Sequence, residues 1–328
     1  MKFVKELFSR YGILLILILL FIVFSIASPA FLQPTNLLNI SRQIATLGIA
    51  SVGMTFVILT AGIDLSVGSN IALVSIVSAM SMANWGWGTV PAVILGIAVA
   101  ALVGVFNGIC VTRFRIPPLI TTLAMMTSIR GLVYIISGGL PIFGFPESFN
   151  FIGRGVVLGV PFPVYVMVIV FVVGWVVMNK TRYGKYLYAI GGNSEAARLS
   201  GINVRKNVFL TYVYSGMLAG IGGIVLLSRA NSGQPTAATA FEMDVITAVV
   251  IGGISISGGE GRYTGVIFGV LIIGILRNGL VLMNVDAFYQ QFISGLVLLL
   301  AVGIDQYTKY RSNLTKVQEL AIGAKKLE

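Results

Sequence analysis

"LSVGSNIALVSIVSAMSMANWGWGTVPAVILGIAVAALVGVFNGICVT", Leu65–Thr112, runs for 48 residues without an Asp, Glu, Lys or Arg. A bilayer span takes about 20 predominantly apolar residues. The stretch is long enough for two spans, with Asn84–Thr89 ("NWGWGT") as the turn between them. Charge-free runs lie on both sides of it, at Gly12–Ala27, Gln43–Ile63, Gly155–Asn179, Asn207–Ser228 and Ala287–Ile304. Shorter or interrupted ones lie at Ile116–Ile136, Val245–Ser257 and Tyr263–Val285.

Ten spans follow, near 11–28, 43–62, 66–83, 89–112, 116–136, 163–179, 207–228, 244–257, 263–284 and 287–305. The expected fold is an all-α polytopic membrane protein, one transmembrane domain over 1–328. It carries a cytoplasmic loop at 180–206 and a basic tail at 306–328. Only 10% of the residues are charged, against about 25% in a soluble domain, and 57% are hydrophobic. A large soluble core would need a polar exterior that this composition cannot supply. Lys2, Lys5 and Arg10 before the first run suggest a signal peptide. The run is at the long end for one, and Pro29 fits poorly after a cut, so an uncleaved first span is expected.

Lys and Arg set the orientation. With the N-terminus inside, the inner loops collect Lys2, Lys5, Arg10, Arg113, Arg115, Lys180, Arg182, Lys185, Arg198, Arg205, Lys206 and Arg262. The tail adds Lys309, Arg311, Lys316, Lys325 and Lys326, while the outer loops keep Arg42, Arg154 and Arg229. Both termini are therefore expected in the cytoplasm. The net charge of +11 is topogenic and faces lipid phosphate, with no call for nucleic acid. No histidine and a single cysteine, Cys110, make a metal or redox site improbable, and no cofactor is expected.

The spans are nearly free of the acids a proton relay would use. Arg130 and Arg277 are the charges that fall within spans. There is no phosphate-binding loop: "RYGKY" lacks its first glycine and its hydroxyl residue, and "GGEGRYTG" has the wrong glycine spacing for a dinucleotide site. The chain carries no motor and is not expected to be an enzyme. It is driven from outside, or it is passive.

An internal echo is present. "GIDLSVG" (Gly62–Gly68) and "GISISGG" (Gly253–Gly259) match in register, and each follows an apolar span. Each is followed by an Asn-Gly pair, in "GVFNG" (Gly104–Gly108) and "GILRNG" (Gly274–Gly279). Broken helices in corresponding positions point to a pathway. Small residues that let helices pack closely would give the same pattern. The candidate pathway residues are Asp64, Ser66, Asn70, Ser255, Ser257 and Asn278.

A different signal lies in "AIGGNSEAARLSGINVRK", residues 189–206. Asn193 is a good N-cap, Glu195 sits in the first turn, and Gly201 supplies the stop. The helix between, about seven residues, is too short to hold alone in water. Small residues, Ala196 and Ala197 among them, suit it to another protein's groove; the alternative is a loop lying on headgroups. Gly192, Asn193, Ser194, Glu195, Ala196, Ala197, Arg198, Leu199, Ser200 and Gly201 are the candidate coupling residues.

Six stretches carry a resemblance: "VGMTFVILTAGIDLSVGS" (Val52–Ser69), "RIPPLITTLAMMTSIRGL" (Arg115–Leu132), "GVPFPV" (Gly159–Val164), "NKTRYGKYLYAIGGNSEAARLSGINV" (Asn179–Val204), "QPTAATAFEMDVITAVVIGGISISGGEGR" (Gln234–Arg262) and "NGLVLMNVDAFYQQFISGLVLLLAV" (Asn278–Val302). The chain resembles the permease subunits of ribose-type sugar importers of the ATP-binding-cassette superfamily. That resemblance implies a ten-span permease paired with a second permease subunit, either a second copy or a close paralogue. It also implies cytoplasmic ATPase subunits, contacted around Asn193–Gly201, and a periplasmic or lipid-anchored sugar-binding protein. Glu147, Arg154, Arg229 and Glu242 are the candidate docking residues for the binding protein. Arg277 and Ser257 depart from the family's uncharged and apolar residues at those places. An ion-gradient-coupled transporter, using backbone carbonyls at the Gly/Ser breaks, is the alternative.

Overall fold

The structure, a computed structural model, describes the backbone of residues 2–325 and the side chains of residues 12–311. The side chains of Lys2, Lys5, Arg10, Lys316, Lys325 and Lys326, assigned above to the inner side, lie outside the described residues. The elements are α1 (Lys2–Ala27), α2 (Pro34–Leu59), α3 (Val67–Ala83), α4 (Thr89–Thr112), α5 (Pro118–Ser137), α6 (Glu147–Arg154), β1 (Val156–Val157), β2 (Val160–Pro161), α7 (Phe162–Lys180), α8 (Arg182–Gly192), α9 (Ser194–Leu199), α10 (Val204–Ala230), α11 (Phe241–Ile251), α12 (Gly265–Leu282) and α13 (Ala287–Lys325). Proline opens several helices, at Pro34 of α2 and Pro118 of α5, where its missing N–H costs nothing.

Among the described residues, seven helices are long and apolar enough to cross a membrane: α2, α4, α5, α7, α10, α12 and the Ala287–Arg311 part of α13. Gly12–Ala27 of α1 and the whole of α3 are shorter apolar helices. The chain is a multi-pass membrane protein built almost wholly of helices, with one small hairpin of β1 and β2. Its centre is α2, in which every residue from Ile44 to Leu59 is buried. Helix α10 packs on α2, α3 and α4. It comes closest to α4 at two glycines: a Cβ on Gly104 would run into the Tyr212 carbonyl, and one on Gly216 would stand 2.5 Å from the Ala100 carbonyl oxygen. Close helix packing thus accounts for "GVFNG".

Two expectations meet a different geometry. The span read at 244–257 is only the 11-residue α11. At 1.5 Å per residue it rises about 16 Å, roughly half the hydrocarbon thickness. Gly252 and Gly253, the latter at φ +89°, end it early. The missing height is covered by Asn231–Ala240, which is irregular, with Ala238 and Ala240 at positive φ. Irregular backbone at membrane depth persists only where protein or a cavity satisfies it. Here the amide and carbonyl of Gly233 pair with those of Ile142, and Arg130 Nη1 donates to the carbonyls of Pro235 and Ala237, each at 2.8 Å. The second difference is α13, which continues as a helix from the last span through the expected tail to Lys325.

Candidate functional site

The short helix forms as its sequence predicts. Asn193 Oδ1 accepts from the amides of Glu195 (3.1 Å) and Ala196 (2.9 Å). At the other end Gly201, at φ +82°, donates to the Arg198 carbonyl, and Ile202 donates to that of Ala197. This pair of bonds closes a Schellman stop. Glu195 and Arg198 pair at 2.5 Å on the exposed side, and the guanidinium holds the Glu195 carboxyl below its ordinary range. Ala197 faces the other way. It is buried within the chain, so the small inward face seats α9 on its own protein; Leu199, 74% exposed, is the apolar side chain presented outward. A cleft of ≈520 Å³ opens beside α9, bordered by Arg115, Glu195, Arg198 and Arg205, three cations to one anion.

Helix α8 roots this element. Leu187 and Ile190 are buried, and Tyr188 donates its hydroxyl to the Gly261 carbonyl at 3.1 Å. Gly191 fits against the backbone at Leu59 and Gly259; a Cβ there would collide with the Leu59 carbonyl and the Gly259 amide. Gly191 thus sits between the end of α2, just before the first echoed break, and the second break at Gly259.

The echoed residues are mostly buried and mutually bonded. Asp64 accepts from the Ser66 amide (3.0 Å), Ser66 Oγ (2.6 Å) and Ser215 Oγ (2.7 Å), and Asn107 donates to Ser66 Oγ at 2.9 Å. Asn70 donates to the Ala100 carbonyl. Ser255 Oγ donates to Asp305 at 3.1 Å, while Ser257 is exposed and accepts from Gln306. Asn278 stands apart from the breaks, in a reciprocal amide pair with Asn36 at 2.9 and 3.1 Å that ties α12 to the start of α2.

The opposite end gathers Arg42, Arg154 and Arg229. Arg154 Nε donates to the Arg229 carbonyl at 2.9 Å, and Arg42 donates to the Arg154 carbonyl at 3.3 Å. Among the described residues none of the three has an ion-pair partner. Glu147, at the start of α6, is exposed. Glu242, expected beside them, is not: its carboxylate is buried, stacked where a Cβ on Gly68 would stand.

Two polar cavities flank the irregular segment Asn231–Ala240. One, of ≈460 Å³, is bordered by Ser69, Thr127, Arg130, Thr239 and Glu242. The other, of ≈310 Å³, is bordered by Gln43, Thr46, Arg229, Thr236, Thr239, Asp244 and Arg277. Arg277 Nε lies 2.5 Å from Asp244 Oδ2. None of the six candidate pathway residues borders either cavity. Gln43, Thr46, Ser69 and Thr127 were not singled out in the sequence as binding residues, while Thr236, Thr239 and Asp244 lie in the stretch Arg229–Asp244 that the sequence offered as a docking surface for the binding protein. The signal that pointed toward them was the pair of intramembrane cations, Arg130 and Arg277.

The family profile described as "Branched-chain amino acid transport system / permease component" matches residues 36–302. The chain is 46% identical over 300 residues to the ribose import permease protein RbsC of Bacillus subtilis, covering 91% of this chain and 93% of that protein. It is 43% identical over 307 residues to RbsC of Escherichia coli K12, covering 92% and 95%. It is 37% identical over 318 residues to the L-arabinose ABC transporter permease protein AraH of Azospirillum brasilense, covering 96% and 92%. No solved structure matches the chain.

Proposed function

The chain belongs to this family of transport-system permease components, and on that premise we propose that it is the membrane-spanning subunit of an ATP-driven importer of a monosaccharide or sugar-like molecule, ribose first among them. Ribose and arabinose in the names of its relatives support a sugar over the amino acid in the family's description. In this reading ten segments cross the bacterial inner membrane, the half-height α11 among them, and both termini and α9 face the cytoplasm. The clustering of Arg115, Arg198 and Arg205 at the α9 end supports that orientation. ATP hydrolysis resides in a partner subunit, and the permease pairs with a second copy or a close paralogue.

The observation that carries the proposal is the seating of α9. A capped helix on the surface, too short to hold alone, is fixed through α8 to the end of α2, at Leu59, and to the second break, at Gly259 and Gly261. An ATPase that pulls or releases α9 therefore acts on the helix that leads into the first break and on the second break together. At the opposite end Arg42, Arg154 and Arg229, with Glu147 at the rim, form the proposed docking surface for a sugar-binding protein with acidic side chains. Asp64, Ser66, Asn70, Ser255 and Ser257 are proposed to hold or border the inner end of the route, and Asn278 its wall.

The test is reconstitution of the complete assembly in liposomes. ATP-dependent uptake of a labelled sugar that also requires the binding protein supports the proposal. Uptake by this chain alone, driven by an ion gradient, overturns it in favour of a coupled carrier.

A further inference from the structure

We propose that the ≈310 Å³ cavity between α2, α10, α11 and α12 is a binding station for the sugar within the permease, recognising a polyhydroxylated ring of monosaccharide size. This rests on the importer reading and adds a site to it. The volume is at the low end of the range for small-molecule sites, about 300–1,000 Å³. Its walls combine a carboxylate acceptor (Asp244), guanidinium donors (Arg229, Arg277), an amide (Gln43) and hydroxyls (Thr46, Thr239) with apolar wall from Leu47, Leu226, Phe241 and Ile273. A sugar ring, whose hydroxyls both donate and accept and whose C–H faces are apolar, matches such a mixture.

The decisive groups are two that have no partner. A threonine within a helix ordinarily returns its hydroxyl to the carbonyl four residues back. Thr55, Thr112, Thr247 and Thr308 all do so. Thr46 does not: it is 3% exposed and its hydroxyl makes no hydrogen bond. Nη1 of Arg229, from a different helix, is likewise buried and unpaired. Buried polar groups are normally satisfied, and leaving them otherwise is costly. Both belong to residues that border one cavity, from α2 and α10, and both atoms are covered in this structure, so a turn of either side chain would bring them to a polar occupant. The Asp244–Arg277 pair faces the same space, and charges at membrane depth mark substrate pathways. The irregular segment supplies Thr236 and Thr239 as the remaining wall, at a break in the α11 height.

The test uses the assembled transporter without its binding protein, so that affinity for sugar belongs to the permease. In a Cys110→Ala background, Thr236→Cys places a thiol on the exposed edge of the cavity; a second protein carries Thr308→Cys, on the exposed surface of α13 and outside the proposed route. The probes are D-ribose, L-arabinose and D-xylose, and the readout is the rate of modification by a polar thiol reagent. At least one sugar is expected to slow modification at 236 several-fold and leave 308 unchanged. Adding Thr46→Val, which removes the hydroxyl and keeps the shape, is expected to raise the half-protecting concentration by about three- to tenfold, the weight of one hydrogen bond. Equal protection at both positions, equal protection with Thr46→Val, or none by a sugar that the complete transporter imports, overturns the site and leaves the importer reading standing. If the complete transporter, with its binding protein and ATP, imports no sugar of the panel, the importer reading fails and this inference fails with it.

Discussion

The amide of Gly259 donates to the carbonyl of Leu59 across 2.9 Å, and this single bond joins the end of α2 to the second echoed break. Gly191 lies in the angle between them. Gly191→Ala would place its methyl against backbone on both sides, where no rotamer can give way. Overpacking of this kind costs about 1–3 kcal/mol. Copurification with the ATPase and sugar-dependent ATP hydrolysis are expected to fall by roughly tenfold. Gly295→Ala, on α13, whose added carbon meets nothing within 4 Å, is the control and should behave as wild type in both assays.

Ala197 and Leu199 are two residues apart on α9 and face opposite ways. Ala197→Trp should lower the melting temperature of the permease itself, because the inward seat has no room. Leu199→Asp should leave melting unchanged and weaken capture of the ATPase. Burying one leucine contributes about 1.5–3 kcal/mol, so a loss of about one to two orders of magnitude in affinity is expected. Thermal unfolding and pull-down on the same preparations separate the two effects.

Arg154 is exposed and its guanidinium has no carboxylate among the described residues. Arg154→Glu should slow association of the binding protein and flatten its dependence on ionic strength, as rim charges do. ATPase stimulation measured across a salt series reads this directly. A salt dependence identical to wild type would remove Arg154 from the docking surface.

Arg130 holds two carbonyls of the irregular segment. Charged hydrogen bonds contribute about 1.5–3 kcal/mol each. Arg130→Met should therefore lower thermal stability and abolish uptake, since both carbonyls lose their donor at membrane depth. Arg130→Lys, which keeps the charge and three donors, should recover part of the stability. Melting curves of the two variants in the same detergent are the measurement.

Long apolar helices were legible wherever an apolar run was long, because a span's length is set by the bilayer. The extent of α11 was not, because hydropathy does not distinguish a full-length apolar helix from an apolar half-helix continued by irregular chain. The caps of α9 were legible at Asn193 and Gly201, since capping is local chemistry. The direction of Ala197 was not, for an alanine buried against its own chain reads the same as one waiting for a partner. The polar cavities were least legible. Thr46 and Thr239 are ordinary residues in sequence, and only folding brings them beside Asp244 and Arg277.

The shortness of α11 also bears on how the protein is made. A helix of about 16 Å carrying Glu242 and Asp244 in its first turn is a poor substrate for the insertion machinery. The penalty for an acidic residue, about 2.5–3.5 kcal/mol at the centre of an inserting helix, is smaller near its end, where these two stand. The partner of Asp244, Arg277, is synthesised later, on α12. A nascent chain ending at Gly261 would present Asp244 without its counter-charge. Truncation there is expected to leave a smaller fraction of chains with α11 in the lipid than truncation after α12, read by accessibility of a cysteine placed in α11 on ribosome-bound chains.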